Sequence, residues 1–183
     1  MGRSALIYIR AERKNKLTEE TIKKNLLVLG VGNFLCGDDG VGPVLAERLM
    51  PLFEEESQID VMNGGTIGLG LLYLLDNYSN IIFLDAVDVG AKPGEVFKYS
   101  LEDLDSIHAE NKISSHQSDP CGLLRYARAI GISPGNVIIL GIQVEHICTE
   151  IGLSEVLMSR LSIIEARVRE EIENVVKQCT NYH

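Results

Sequence analysis

Two adjacent carboxylates, Asp38 and Asp39, stand inside a glycine-rich stretch, GVGNFLCGDDGVG (30–42). Neighbouring carboxylates in one loop repel each other unless a cation or a proton intervenes. Asp38 reads equally well as a cap for the helix that follows, its charge facing the positive end of the helix dipole. Asp39 is harder to reduce to capping. A third carboxylate, Asp85, ends the apolar run NIIFLDA (80–86), with Asp88 just beyond it. Taken alone, Asp85 fits a carboxylate satisfied by loop amides. His116, in ISSHQ (113–117), taken alone fits a surface histidine. Taken together, two carboxylates and one imidazole on separate loops offer three ligands to a borderline divalent metal such as nickel or zinc. Positions would remain open for water or substrate. Nothing in the spacing sets the distances between these groups, so the elements that carry them decide whether they meet.

From Leu26 onward, short apolar runs alternate with longer amphipathic ones. Strands are expected at LLVLG (26–30), IDVMN (59–63), NIIFLDA (80–86), EVFKYS (95–100) and NVIILGIQ (136–143). Helices are expected at 41–55, with Pro43 in its first turn and Pro51 at its end or a kink, and at 67–77, capped by Thr66 and buried all round. A third helix over 121–131 starts from the Asp119-Pro120 cap pair and is closed by Gly131. Leu153, Leu157, Leu161, Ile164, Val168, Ile172 and Val175 then mark one long amphipathic helix. Such alternation gives an α/β fold: a three-layer sandwich with a five-stranded, mostly parallel sheet flanked by helices. The fourth strand follows a tight turn at Lys92-Pro93-Gly94 and is expected as an antiparallel edge. In such a sheet, ligands bind beyond the carboxyl ends of the strands. Asp38 and Asp39, then Asn63, Asp85 with Asp88, His116, and Gln143 with Glu145 all follow strand ends and are thereby expected on one rim.

The 183 residues suit one domain, read as 25–183, preceded by a polar, basic and partly disordered extension over 1–24. Lysine and arginine number 17 against 26 acids, a net charge of −9. A field of that sign repels phosphate backbones and anionic lipid, which argues against a general nucleic-acid or membrane role. The apolar runs are strand-sized, and the patch from Ala5 to Ile9 is too short for a secretory leader. Cys36, Cys121, Cys148 and Cys179 are scattered, with no CxxC pair. They read as reduced thiols in a cytoplasm.

Gly30-Val31-Gly32 begins like a dinucleotide fingerprint, but Leu35 replaces the third glycine and two aspartates would face the pyrophosphate. The glycines are better explained as turn residues that swing Asp38 and Asp39 over the sheet edge. Gly30, Gly32, Asn33, Asn63, Gly64 and Gly65 are therefore taken as supports.

In combination these motifs resemble the hydrogenase maturation endopeptidases. LGVGNFLCGDDGVG (29–42), NGGT (63–66), LDAVDVGAKPGE (84–95), ISSHQ (113–117) and LGIQVE (140–145) come in the family's order, and the resemblance runs from about Leu26 to the final helix. It implies an endopeptidase that removes a C-terminal extension from the precursor of the [NiFe] hydrogenase large subunit once nickel is inserted. It further implies that Asp39, Asp85 and His116 meet nickel supplied by that precursor, with no tightly held metal of the protein's own. The catalytic candidates are Asp39, Asp85 and Asp38, with nickel or an aspartate activating water at the scissile carbonyl. No serine or cysteine triad is visible, and Cys36 reads as an incidental thiol. One departure stands out: many relatives have aspartate where this chain has Asn63, which keeps the shape and loses the charge. If that charge were needed for chemistry, Asp38 or Glu145 would have to replace it. Two other readings stay open at this point: a checkpoint that docks on the nickel centre and cuts nothing, and a hydrolase holding its own ion.

Overall fold

The computed structural model describes residues 23–100, 103 and 120–180. Five strands form one sheet: β1 (Lys24–Val31), β2 (Ile59–Gly65), β3 (Tyr78–Val87), β4 (Val96–Ser100) and β5 (Asn136–Gln143), in the order β2-β1-β3-β5-β4. Four run parallel, and β4 pairs antiparallel with β5 at the edge. Among the described residues the α-helices are α1 (Val41–Leu49), the short α2 (Leu72–Leu75), α3 (Pro120–Ala129) and the long α4 (Glu155–Thr180).

The unbroken apolar runs become central strands because helices cover both faces. Alternate residues supply the two layers. Leu26, Val28, Ile82, Leu84, Leu140 and Ile142 pack with α1 and with Leu157, Leu161, Ile164, Val168 and Ile172 of α4. Leu27, Leu29, Val31, Ile81, Phe83 and Ile139 pack on the other side with Leu75, Leu123, Leu124 and Ala127. Each buried Val, Leu, Ile or Phe side chain among them contributes about 1.5–3 kcal/mol relative to exposure. The edge strand β4 is half exposed. Its Lys98 reaches Glu171 of α4 at 3.0 Å, and Arg167 meets the same carboxylate at 2.7 Å.

The expected α/β sandwich is therefore the observed fold, with local differences. The helix expected over 41–55 stops at Leu49 and tightens into a 3-10 turn (Met50–Leu52), where Pro51 lacks the N–H to continue it. The buried helix expected over 67–77 is a 3-10 turn (Gly68–Leu71) followed by one α-helical turn, α2. Gly68 at φ 54° cannot continue an α-helix, and Ile67, Leu69 and Tyr73 face solvent. Thr66 is not the cap either: Ile67 precedes the turn and no side chain caps it. Of the extension read over 1–24, residues 1–22 lie outside the described residues, as does the Asp119 cap, and Lys24 already belongs to β1. Gly131 does close α3, at φ 81°. Among the described residues, no helix is long and apolar enough to cross a membrane.

At the amino end of the sheet, three neighbouring strands start with a polar cluster. Lys24 donates to both Asp60 carboxylate oxygens, at 2.9 and 2.8 Å, and the Tyr78 hydroxyl donates to Oδ2. Burial alone would raise the Asp60 carboxyl. The hydrogen bonds from Lys24 and Tyr78 and the lysine charge outweigh it and hold the group below the usual carboxylate value. Desolvation, and then Asp60 itself, push Tyr78 well up.

The carboxyl end is where the topology turns. From β1 the chain crosses one way to β2, and β3 lies on β1's other side, which makes the carboxyl ends of β1 and β3 the topological switch point, where open α/β sheets bind ligands. Gly42, in the first turn of α1, presses against both ends. A Cβ there would fall 2.2 Å from the Leu84 carbonyl oxygen and 2.4 Å from that of Val31. Only glycine lets the helix start that close.

Candidate active site

The loop leaving β1 is folded around its two aspartates. Gly32 has φ 130°, and a Cβ on it would lie 1.9 Å from the Asp39 carbonyl oxygen, so the chain doubles back on itself there. Asn33 holds the turn together. Its amide N–H donates to Asp39 Oδ2 at 2.7 Å, its Oδ1 accepts from Leu35 N at 3.0 Å, and its Nδ2 reaches Cys36 Sγ at 3.2 Å. Cys36 is thus a half-buried thiol occupied by a loop contact.

Asp38 and Asp39 form a 3-10 turn with Gly40 and are both buried, yet their surroundings are opposite. Asp38 accepts from Glu145 N (2.9 Å), His146 N (3.4 Å), Ser154 N (2.7 Å) and Ser154 Oγ (3.0 Å). Its carboxylate ties the first loop to the segment between β5 and α4. Ser154 also caps α4, accepting from Leu157 N at 3.2 Å. Asp39 has one oxygen fixed by Asn33. The other, Oδ1, is buried with no hydrogen-bond partner among the described residues. A buried carboxylate oxygen left in that state costs free energy that a cation or a proton would recover.

Asp85 sits at the end of β3, 2% exposed, with Oδ1 accepting from Ala86 N at 2.9 Å. The 3-10 turn carrying Asp38 and Asp39 is in contact with β3, the strand that carries Asp85. His116 lies outside the described residues. Asn63 is exposed at the end of β2, and its Nδ2 donates to Glu47 Oε1 of α1 at 2.7 Å. The Glu145 side chain is exposed, 3.8 Å from His146 Nδ1.

Gln143 and Ser154 do more than their sequence context suggested. Buried Gln143 accepts from Val89 N (2.9 Å) and Ala91 N (3.2 Å), and donates to Asp88 Oδ1 (3.1 Å) and the Val144 carbonyl (2.9 Å). It folds the loop after Asp85 into a fixed shape. The signal for Ser154 was its place one residue before the long helix.

The segment after β5 lies along the first loop. Ile147 bridges Gly37, Gly37 N donates to Glu150 O at 2.7 Å, and Gly152 N donates to Phe34 O at 3.2 Å. Desolvation and the adjacent Glu150 carboxylate push the Cys148 thiol up. Phe34, Leu35, Ile67, Leu69, Ile147 and Ile151 are exposed on loops at this end, an apolar surround suited to a macromolecular partner. Concavity and chemistry do not coincide. A cleft of about 460 Å³ opens near the amino end of β2, between Leu52, Phe53, Ile59 and Val176, and none of the clustered aspartates lines it.

Comparison with known proteins agrees with this geometry. A family model described as hydrogenase maturation protease matches residues 43–179. The hydrogenase expression/formation protein HupD of Rhodobacter capsulatus is 32% identical over 120 residues, 66% of this chain and 57% of that protein. The chain thus spans little more than half the length of that relative. The Hydrogenase 2 maturation protease of Escherichia coli (strain K12) is 30% identical over 153 residues, 82% of this chain and 88% of that one. Among solved structures, the hydrogenase maturating endopeptidase HybD from E. coli superposes with a TM-score of 0.68 at 27% identity, over 82% of this chain and 93% of its own. A family match over more than half the chain, likeness to a maturation protease over most of both chains and a shared fold lead to one conclusion: this chain belongs to the hydrogenase maturation protease family.

Proposed function

We propose that this protein is an endopeptidase that trims the C-terminal extension from a [NiFe] hydrogenase large-subunit precursor after nickel insertion. The observation that carries the reading is Asp39 Oδ1, a buried carboxylate oxygen with no donor among the described residues, on a turn packed against the strand that carries Asp85. A site prepared in this way is incomplete without a cation. In this reading the cation is the nickel presented by the precursor, met by Asp39, Asp85 and, by resemblance, His116, and the protein holds no tight metal of its own. Carboxylate and imidazole suit a borderline divalent ion, and a partial ligand set is better at completing a metal site than at scavenging a free ion. The polarised carbonyl and an activated water then meet at the open positions, with Asp39 or Asp85 placed to accept a proton. Asp38 acts here by position, because Glu145, His146 and Ser154 donate four hydrogen bonds to its carboxylate. The exposed apolar loop residues support a protein substrate, and the scattered thiols support a cytoplasmic location.

The test is mass spectrometry of a nickel-loaded precursor incubated with the protein, beside a metal-free control. Loss of one C-terminal peptide from the loaded sample alone is the expected result. Cleavage of both samples removes nickel gating, and cleavage of neither favours a second reading, a checkpoint that binds the nickel centre without cutting. Asn63 is the observation behind that alternative: the amide gives the β2 end no carboxylate, and its N–H₂ is committed to Glu47. His116→Ala should abolish processing under the first reading, and unchanged cleavage would remove the residue from the site.

A further inference from the structure

Beyond β5 the chain runs through VEHICTEIG (144–152). His146, Cys148 and Glu150 stand at every second position of a segment that bridges Gly37 at Ile147 and bends at Thr149. Their imidazole nitrogen, thiol sulfur and carboxylate oxygen all lie within 4.8 Å of one another. The geometry points to a second metal site on the β5–α4 segment: a nitrogen, sulfur and oxygen set for a borderline divalent cation of the zinc or nickel class, separate from Asp39 and Asp85.

Three features support it. Zinc bonds of about 2.0–2.3 Å place the ligand atoms of a tetrahedral site roughly 3.3–3.8 Å apart. Donors within 4.8 Å of one another therefore need to close by at most about 1–1.5 Å, and their side chains are exposed or half-buried. Their backbone is already fixed, by the Gly37–Ile147 bridge, by Gly37 N on the Glu150 carbonyl and by Asp38 on the amides of Glu145 and His146. Ordering the loop is the usual entropic cost of assembling such a site, and here the fold has already met it. Charge also balances, since one thiolate and one carboxylate neutralise a divalent ion while the sulfur selects against magnesium and calcium. The fourth position is open to water or to a group from a partner. An ion held there would stiffen the segment that Asp38 ties to the first loop, and with it the turn that carries Asp39.

Titration of the whole chain with Co²⁺, followed by optical absorption, tests the site. The expected result is one Co²⁺ per chain with an intense sulfur-to-cobalt charge-transfer band. That band is lost in Cys148→Ser, while His146→Ala and Glu150→Gln each weaken cobalt affinity about tenfold or more. The double variant Asp39→Asn/Asp85→Asn should keep the band. Circular dichroism checks that each variant is folded, and Zn²⁺ should raise the melting temperature of the wild type but not of Cys148→Ser. No sulfur band at millimolar Co²⁺, or a band that survives Cys148→Ser, overturns the proposal. A band lost in the double aspartate variant overturns the separateness of the two sites.

Discussion

The two ends of the sheet treat their carboxylates in opposite ways. At the amino end, Asp60 takes hydrogen bonds from a lysine and a tyrosine, and its charge is answered where it stands. At the carboxyl end, Asp39 is 1% exposed and keeps one oxygen without a donor among the described residues. The first arrangement holds strands together. The second is costly to the fold, and such local violations of packing and satisfaction rules are expected at functional sites. The contrast recurs within two residues, because Asp38, equally buried, is satisfied by four donors while Asp39 is not.

The sharpest way to break this comparison is Asp39→Asn. Under the proposed function it should lower processing about 10³-fold or more, as loss of a group that meets the metal would. Its amide can still accept from Asn33 N, and its N–H₂ replaces an oxygen that has no donor among the described residues, so unfolding free energy should change by no more than about 1–2 kcal/mol. Urea unfolding beside a cleavage assay checks both halves, and a large loss of stability would mean that Asp39 is structural after all. Asp38→Ala should do the reverse in emphasis. It strands the amides of Glu145, His146 and Ser154 and should cost about 2–4 kcal/mol, read as a lower urea midpoint. Activity would fall with it through displacement of the first loop.

At the other end, Asp60→Asn should have a smaller effect, about 1 kcal/mol or less, because Lys24 and Asp60 are partly exposed. Its signature is pH dependence. The folded-state carboxyl lies below its ordinary value of 3.8, so its contribution is fully present above that pH and disappears as pH falls through the lower folded value. Wild type and Asp60→Asn should therefore differ at neutral pH and converge in strong acid. A constant gap across the acid range would show that the Lys24–Asp60–Tyr78 cluster is not the origin of the difference.

Most of the fold was legible because burial on both faces writes itself as unbroken apolar strands, and the α4 stripe as steps of three and four. The segment 67–77 misled because seven of its eleven residues are apolar, while Gly68 and Gly70 break the helix and turn Ile67 and Leu69 outward. Apolar composition cannot show which face a short turn will present to solvent. Among the site residues, the placing of Asp38 and Asp39 against β3, the strand that carries Asp85, followed from strand ends alone. Their division of labour did not, since it depends on Ser154 and the Glu145 amide, more than a hundred positions away from Asp38. The Gln143 side chain, which shapes the loop after Asp85, was equally invisible, because a strand-terminal glutamine has no sequence mark of what it will bond.

Asn63→Asp makes the smallest and most informative change. In the wild type the amide donates to Glu47 at 2.7 Å, an arrangement only a donor can make. Aspartate would set two carboxylates against each other on an exposed surface, costing about 0.5 kcal/mol at low salt and less as salt screens the pair. The carboxyl end would then carry a second unanswered acid beside Asp39. If processing rises while stability drops by that amount, the charge at the β2 end assists cleavage and Glu47 is what makes asparagine tolerable here. If processing is unchanged, position 63 serves only to shape the turn into Gly64-Gly65, and the chemistry belongs to Asp39 and Asp85.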